Sequence, residues 1–61
     1  MSDPDPNDPN YAVGTRVWYD GSVVGWSTVL EHSDGGAYRI QVEADQSVQT
    51  TSYPHLSLTA P

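Results

Sequence analysis

Few residues in this 61-residue chain could do acid–base or metal chemistry. His32 and His55 are its two imidazoles, and a catalytic or metal-binding pair would need them to converge with a carboxylate. His32 lies in a predicted turn and His55 lies beside Pro54, which favours two separate surface histidines. The chain has no cysteine, no serine in a G-x-S-x-G context and no phosphate-binding glycine loop. We therefore expect no catalytic residue, no cofactor and no metal site.

The aromatic residues are the more informative group. Two Trp and four Tyr occur without any Phe, so every ring carries a polar group. Rings of this kind suit half-buried surfaces and protein interfaces. The candidates for a protein-interaction site are Trp18, Tyr19, Trp26, Tyr38 and Tyr53.

Strand alternation divides these rings between the core and the surface. Trp18 and Tyr19 are adjacent, so one of them must point outward, and the sequence leaves open which one. That ring is the best single surface candidate. We expect Trp26 and Tyr38 to fill the core, because so short a chain has few other large side chains for it. Tyr53 is expected to pack on a 3₁₀ turn.

Short strands must position these rings. Alternation and β-branched or aromatic residues predict strands at residues 15–19, 26–31, 37–43, 47–52 and 56–58, with Ile40 in the core. Turns are predicted at Asp20-Gly21, Asp34-Gly35 and 44–46, and a 3₁₀ turn at 53–55. Turns about every 8–12 residues indicate a sandwich or a barrel, and at this length only a barrel closes its edges. The predicted fold is a small all-β, SH3-like barrel of about five strands.

The composition of the chain indicates which partners and which cellular compartment to expect. The formal net charge is −6, from two basic and eight acidic residues, which argues against a nucleic-acid ligand and favours a cationic protein partner. Without an apolar run of about 20 residues or a signal-peptide pattern, we expect no membrane association and a cytoplasmic, monomeric domain. Residues 1–10, rich in Asp, Pro and Asn, are expected to form a disordered, dispensable acidic leader before a barrel domain at 11–61.

The opening of the chain's ordered part resembles the N-terminal SH3-like subdomain of myosin heavy chains, with a class V-like pattern. The matching residues are Val13-Gly14-Thr15-Arg16-Val17-Trp18-Tyr19, Gly25-Trp26, Val29, Asp34-Gly35, Tyr38 and Val42. The resemblance covers residues 11–61, although only the opening heptad is specific. One departure is Asp45-Gln46, where the family has Asp-Gly or a similar turn. The resemblance implies a non-catalytic accessory domain beside an ATP-driven actin motor. Its partner would be the rest of the heavy chain, a light chain or another protein.

The chain also resembles Tudor-like domains, which share a V-G-x-x-V opening and a D-G turn. That resemblance implies an aromatic cage for methylated Lys or Arg. The five candidate rings would supply the walls, and Asp20 or Glu43 the carboxylate. We expect the cage to be incomplete, because two of the largest rings are needed in the core. A structural domain without a ligand is the third interpretation. Since the families share a fold, the strand pattern does not separate them.

Overall fold

The computed structural model describes residues 6–33 and 35–61. In this part of the chain five strands form one antiparallel sheet, ordered β4-β3-β2-β1-β5. The elements are β1 (Arg16–Asp20), β2 (Val24–Ser33), β3 (Ala37–Val42), β4 (Val48–Ser52), a 3₁₀ turn (Tyr53–His55) and β5 (Leu56–Ser57). The all-β prediction is confirmed, and each predicted strand is present. The barrel is not closed, because β4 and the two-residue β5 remain as the edges of the sheet.

The turns follow the predicted pattern where they are described. Gly35 and Gly36 have φ angles of 85° and 83°, values that glycine adopts without steric cost. Asp34, the other half of the predicted turn, lies outside the described residues. After β3, Gln46 has a φ angle of 59°, so the departure from Asp-Gly puts a side chain in the left-handed region. The described residues contain no helix long and apolar enough to cross a membrane.

One face of the sheet, here called the inner face, holds the core. Its buried apolar residues are Val17, Tyr19, Val29, Tyr38, Ile40, Val42 and Leu56. Ile40 is fully buried, as the clean alternation of β3 predicts. Tyr11, Val23 and Tyr53 cover this cluster from the side. The Tyr53 ring packs directly against the Gly36 backbone. A side chain at position 36 would clash with it, because a Cβ atom there would lie 2.6 Å from the ring. Tyr53 is the first residue of the 3₁₀ turn and its ring packs over Gly36 against the core.

The expectation that Trp26 lies in the core is wrong. Trp26 is half-buried on the opposite, outer face, while Ser27 and Val29 point inward and are fully buried. Both faces of β2 carry apolar residues, so the period-two pattern alone did not select the inward one. The core accommodates Ser27 because its hydroxyl donates a hydrogen bond to the Gly25 carbonyl oxygen at 3.5 Å.

A β-bulge changes which residues of β2 face inward. Val29 pairs with Ile40, but the next register pair is Glu31 with Arg39, so Leu30 is the extra residue. A bulge of this kind re-aims the side chains that follow it. His32, near the end of β2, is consequently the cross-strand partner of Tyr38. The bulge thus brings an imidazole beside a core tyrosine.

The leader makes a contact that its sequence does not predict. Asp8 is only 8% exposed and lies against the inner end of the sheet, hydrogen-bonded to His32 and Tyr38. The domain boundary at residue 10 stays a prediction, and residues 1–5 lie outside the described part of the chain. Asp8, however, is packed against the sheet, in contact with His32 and Tyr38.

Candidate protein-interaction site

The outer face of β1 and β2 carries both tryptophans. Trp18 and Trp26 are direct cross-strand partners, and their ring centroids are 5.5 Å apart with the planes at 83°. Edge-to-face contact of this kind is a favoured aromatic geometry. Both side chains remain half-buried. Trp18 is therefore the outward ring of the Trp18–Tyr19 pair, and the pair Trp18–Trp26 forms an apolar ridge, the tryptophan ridge, across two strands.

A cation already lies on this ridge. The guanidinium carbon of Arg16 is 4.4 Å from the centroid of the Trp26 ring, which is cation–π distance. Arg16 also donates two hydrogen bonds to Glu43, from Nε to Oε2 at 2.7 Å and from Nη2 to Oε1 at 3.2 Å. These bonds hold the pKa of Glu43 below its ordinary value and raise that of Arg16. Both side chains are exposed, at 58% and 43%, so solvent screens the pair and it adds little stability.

An open hollow adjoins Trp18 at the far end of the ridge. It has a volume of about 270 Å³ and is lined by Trp18, Asp20, Pro54, His55, Leu56 and Ser57, among others. His55 Nδ1 lies 3.1 Å from the Asp20 carbonyl oxygen, so the imidazole closes one side. The hollow places Trp18, Asp20 and Pro54 in one lining. This arrangement suits an extended peptide segment better than a deep small-molecule site.

The other predicted rings do not join the ridge. Tyr19 and Tyr38 are 4% and 1% exposed on the inner face, and Tyr53 packs beside them over Gly36. The Tyr19 hydroxyl lies 3.3 Å from the Ser22 hydroxyl. Of the five candidates, Trp18 and Trp26 pair on the outer face, whereas Tyr19, Tyr38 and Tyr53 lie in or against the inner-face core. The rings are divided between two faces, so they do not converge on one point.

Three polar side chains that were not predicted as a site, Asp8, His32 and Tyr38, meet on the inner face of the sheet. The Tyr38 hydroxyl donates to Asp8 Oδ1, and His32 Nε2 lies 2.6 Å from Asp8 Oδ2. His32 stacks on Tyr38, with ring centroids 4.4 Å apart. The backbone N–H of Tyr11 donates to the Tyr38 hydroxyl at 3.0 Å. We call Asp8, His32 and Tyr38 the carboxylate cluster.

The electrostatics of the cluster follow from burial and hydrogen bonding. Burial by itself raises the pKa of Asp8, but the hydrogen bonds from Tyr38, the Asn10 N–H and His32 outweigh it and leave that pKa below its ordinary value. Burial and the bond to Asp8 raise the pKa of Tyr38 to about 12. The cluster therefore holds a charged carboxylate and a neutral phenol. Among the described residues no group of three or more His, Cys, Asp or Glu could hold a metal ion.

One local signal for this cluster exists in the sequence. Asp8-Pro9-Asn10 has the Asx-turn pattern, and the Asn10 N–H does donate to Asp8 Oδ1 at 2.9 Å. The pattern predicts the turn but not its docking partner. His32 and Tyr38 are 24 and 30 residues away, and the bulge that aligns them has no clear sequence mark.

Comparisons with protein-family profiles, curated proteins and solved structures returned no match for this chain.

Proposed function

We propose that this chain is a non-catalytic module that binds another protein through the tryptophan ridge. The observation that carries the proposal is the outward placement of Trp18 and Trp26 on adjacent strands. A 61-residue domain has a thin core, yet both of its tryptophans are used outside it. Trp is the residue type most enriched among those that dominate binding energy at interfaces.

Charge defines the kind of partner. The formal net charge of −6 attracts a basic surface during the approach of the two proteins. Asp20 lines the hollow beside Trp18, and Glu43 faces the other end of the ridge through its contact with Arg16. A basic, extended protein segment lying along the ridge would meet Asp20 beside the hollow at one end, the Arg16–Glu43 pair at the other end and the indoles between them.

Within this proposal, the parent protein is a myosin heavy chain or a stand-alone relative of its N-terminal SH3-like subdomain. The support is the resemblance of residues 13–19, which lead into and form most of β1. The partner would then be the remainder of the heavy chain, a light chain or another cytoplasmic protein. The isolated domain would be monomeric and would have no enzymatic activity of its own.

A Tudor-like reader of methylated Lys or Arg is the second candidate. The observation that favours it is the position of Arg16, whose guanidinium lies on the Trp26 ring and pairs with Glu43. An indole and a carboxylate are two elements of an aromatic cage. The burial of Tyr19 and Tyr38 and the packing of Tyr53 against the core leave only two of the five candidate rings for such a cage, which makes this candidate the weaker one.

Site-specific photo-cross-linking tests the first candidate. A photoreactive amino acid at Thr28, on β2 next to the ridge, should capture a partner in cells. The same group at Val13, an exposed residue outside the sheet, should not. The captured protein is then purified and its binding to the wild-type chain is measured. Identical cross-links from both positions, or no binding by the purified protein, would argue against the ridge as the contact.

A peptide titration tests the second candidate. Histone peptides with trimethyl-lysine or dimethyl-arginine are added while Trp fluorescence is followed. The first candidate predicts no saturable binding tighter than about 1 mM, a free energy near −4 kcal/mol. Tighter binding that disappears in folded Trp18→Ala and Trp26→Ala variants would establish the Tudor-like function instead.

A further inference from the structure

The carboxylate cluster has the composition of a ligand site with its ligand in place. Asp8 comes from the leader, whereas its two side-chain partners come from β2 and β3, at sequence separations of 24 and 30 residues. The Asp8 side chain is only 4% exposed. Tyr38, which donates to it, is 1% exposed. A deeply buried hydroxyl and an imidazole thus converge on one carboxylate from a different segment.

The backbone around Asp8 is arranged to present that carboxylate. The Asn10 N–H donates to Asp8 Oδ1 at 2.9 Å, and Asn10 Nδ2 donates to the Asp8 carbonyl oxygen at 3.0 Å. Asn10 has a φ angle of 57°, which Asn tolerates better than most residues. Pro9 restricts the backbone between them. Asp-Pro-Asn is therefore a compact turn that directs one carboxylate toward the sheet.

We propose that His32 and Tyr38 form a carboxylate-binding site for Asp-Pro-Asn turns, which this chain's own leader fills and which the same turn on another chain can fill when Asp8 is absent. The site lies at the inner end of the sheet and is separate from the tryptophan ridge. The partner it fits is an acidic peptide segment with a proline after the aspartate. The leader acts as a tethered competitor for that segment.

Tethering sets the affinity expected in trans. A short flexible connection gives its ligand an effective concentration in the millimolar range. Taking that value for the docked leader, we expect the untethered turn to bind with a dissociation constant of about 1 mM. In the wild-type chain the leader raises the apparent dissociation constant of a free peptide. Removing the Asp8 carboxylate should therefore strengthen binding of the peptide at least about twofold.

The test uses the full chain with Asp8→Ala and a capped peptide of residues 6–10, Pro-Asn-Asp-Pro-Asn. Amide chemical shifts of His32 and Tyr38 should change saturably, with a dissociation constant of about 1 mM or lower. The control peptide, with Asn replacing its Asp, should bind at least about tenfold more weakly, because a buried donor would lose its charged acceptor. Adding Tyr38→Phe to the Asp8→Ala chain should abolish the shifts.

Two results would overturn the proposal. One is the absence of saturable shifts in a folded Asp8→Ala chain at about 10 mM peptide, well above the effective concentration of a tether. The other is equal binding of the Asp and Asn peptides. If the Asp8→Ala chain does not fold, the proposal is tested on the wild-type chain instead. At about 10 mM peptide, intermolecular NOEs between the peptide Asp and the Tyr38 ring support the site, and their absence overturns it.

Discussion

Replacing Asp8 with Ala is a sharp test of how the leader packs. The substitution leaves the Tyr38 hydroxyl, on a residue that is 1% exposed, without the acceptor of its proton. It also removes the partner of His32 Nε2 at 2.6 Å. A buried donor left unsatisfied costs about 1–3 kcal/mol. We therefore expect the free energy of unfolding to fall by about 2 kcal/mol.

Thermal unfolding makes this loss measurable. For a domain of this size, 1 kcal/mol changes the melting temperature by about 4–8 °C, so Asp8→Ala should lower it by about 8–16 °C. Far-ultraviolet circular dichroism follows the transition. Glu31→Ala is the matched control, because it removes the same charge from a side chain that is 67% exposed. The ion pair that Glu31 makes with Arg39 is long, with 3.9 Å between Glu31 Oε2 and Arg39 Nη1. That control should change the melting temperature by only a few degrees.

A double-mutant cycle shows whether the loss comes from the described contact. If Asp8 and Tyr38 interact directly, Tyr38→Phe should cost much less in the Asp8→Ala chain than in the wild type. Contacting residues couple by about 0.5–3 kcal/mol. Additive effects, or a melting temperature for Asp8→Ala equal to that of Glu31→Ala, would refute the docking of the leader.

Three further predictions concern the core, one turn and pH. Ile40→Ala should cost about 2–5 kcal/mol from lost burial and a new cavity, most of the roughly 3–5 kcal/mol that such a core supplies; a well-dispersed amide spectrum would contradict this. Gln46→Gly should stabilise the chain by about 1 kcal/mol in urea unfolding, because it relieves a left-handed side-chain residue; an unchanged or lower midpoint would contradict that turn geometry. The raised pKa of Tyr38, about 12 against an ordinary 10.0, means that its contribution to stability is complete below pH 10 and is lost as pH rises through 12. Alkaline unfolding should therefore accompany its ionisation in the wild type, and Tyr38→Phe should lack this component.

The acid side gives the opposite sign for Asp8. Its folded-state pKa is below the ordinary value, so its contribution is complete above about pH 4 and is lost as pH falls through the folded-state pKa. Asp8→Asn should remove this part of the acid dependence of stability. If the free energy of unfolding falls equally steeply with decreasing pH in both chains, the Asp8 carboxylate is not hydrogen-bonded in the folded state.

The strand pattern was predictable because its signals are local. Apolar and polar residues alternate from Tyr38 to Glu43, and the 3₁₀ turn at Tyr53–His55 follows from a proline that cannot join a ladder. The position of Trp26 was not predictable, because β2 carries apolar residues on both faces. Choosing the inward face required the pairing of Trp26 with Trp18 and the bulge at Leu30.

The candidate sites were predictable only in part, for the same physical reason. That one of Trp18 and Tyr19 faces outward follows from adjacency, but which one does so depends on what the neighbouring strands bury. The docking of Asp8 gave no hydrophobic signal, since the leader has no apolar residue in 2–10. It depends on donors that tertiary structure brings together from β2 and β3.

The proposed function depends on the tryptophan ridge, so the affinity of the ridge for its partner is the decisive measurement. With the cross-linked partner purified, calorimetry compares the wild-type chain with Trp18→Ala, Trp26→Ala and the control Val13→Ala, each verified as folded. A residue that dominates an interface contributes about 2 kcal/mol or more, so each tryptophan variant should lose about 30-fold in affinity while Val13→Ala stays unchanged. Affinities that are equal across all four chains would contradict the proposed function.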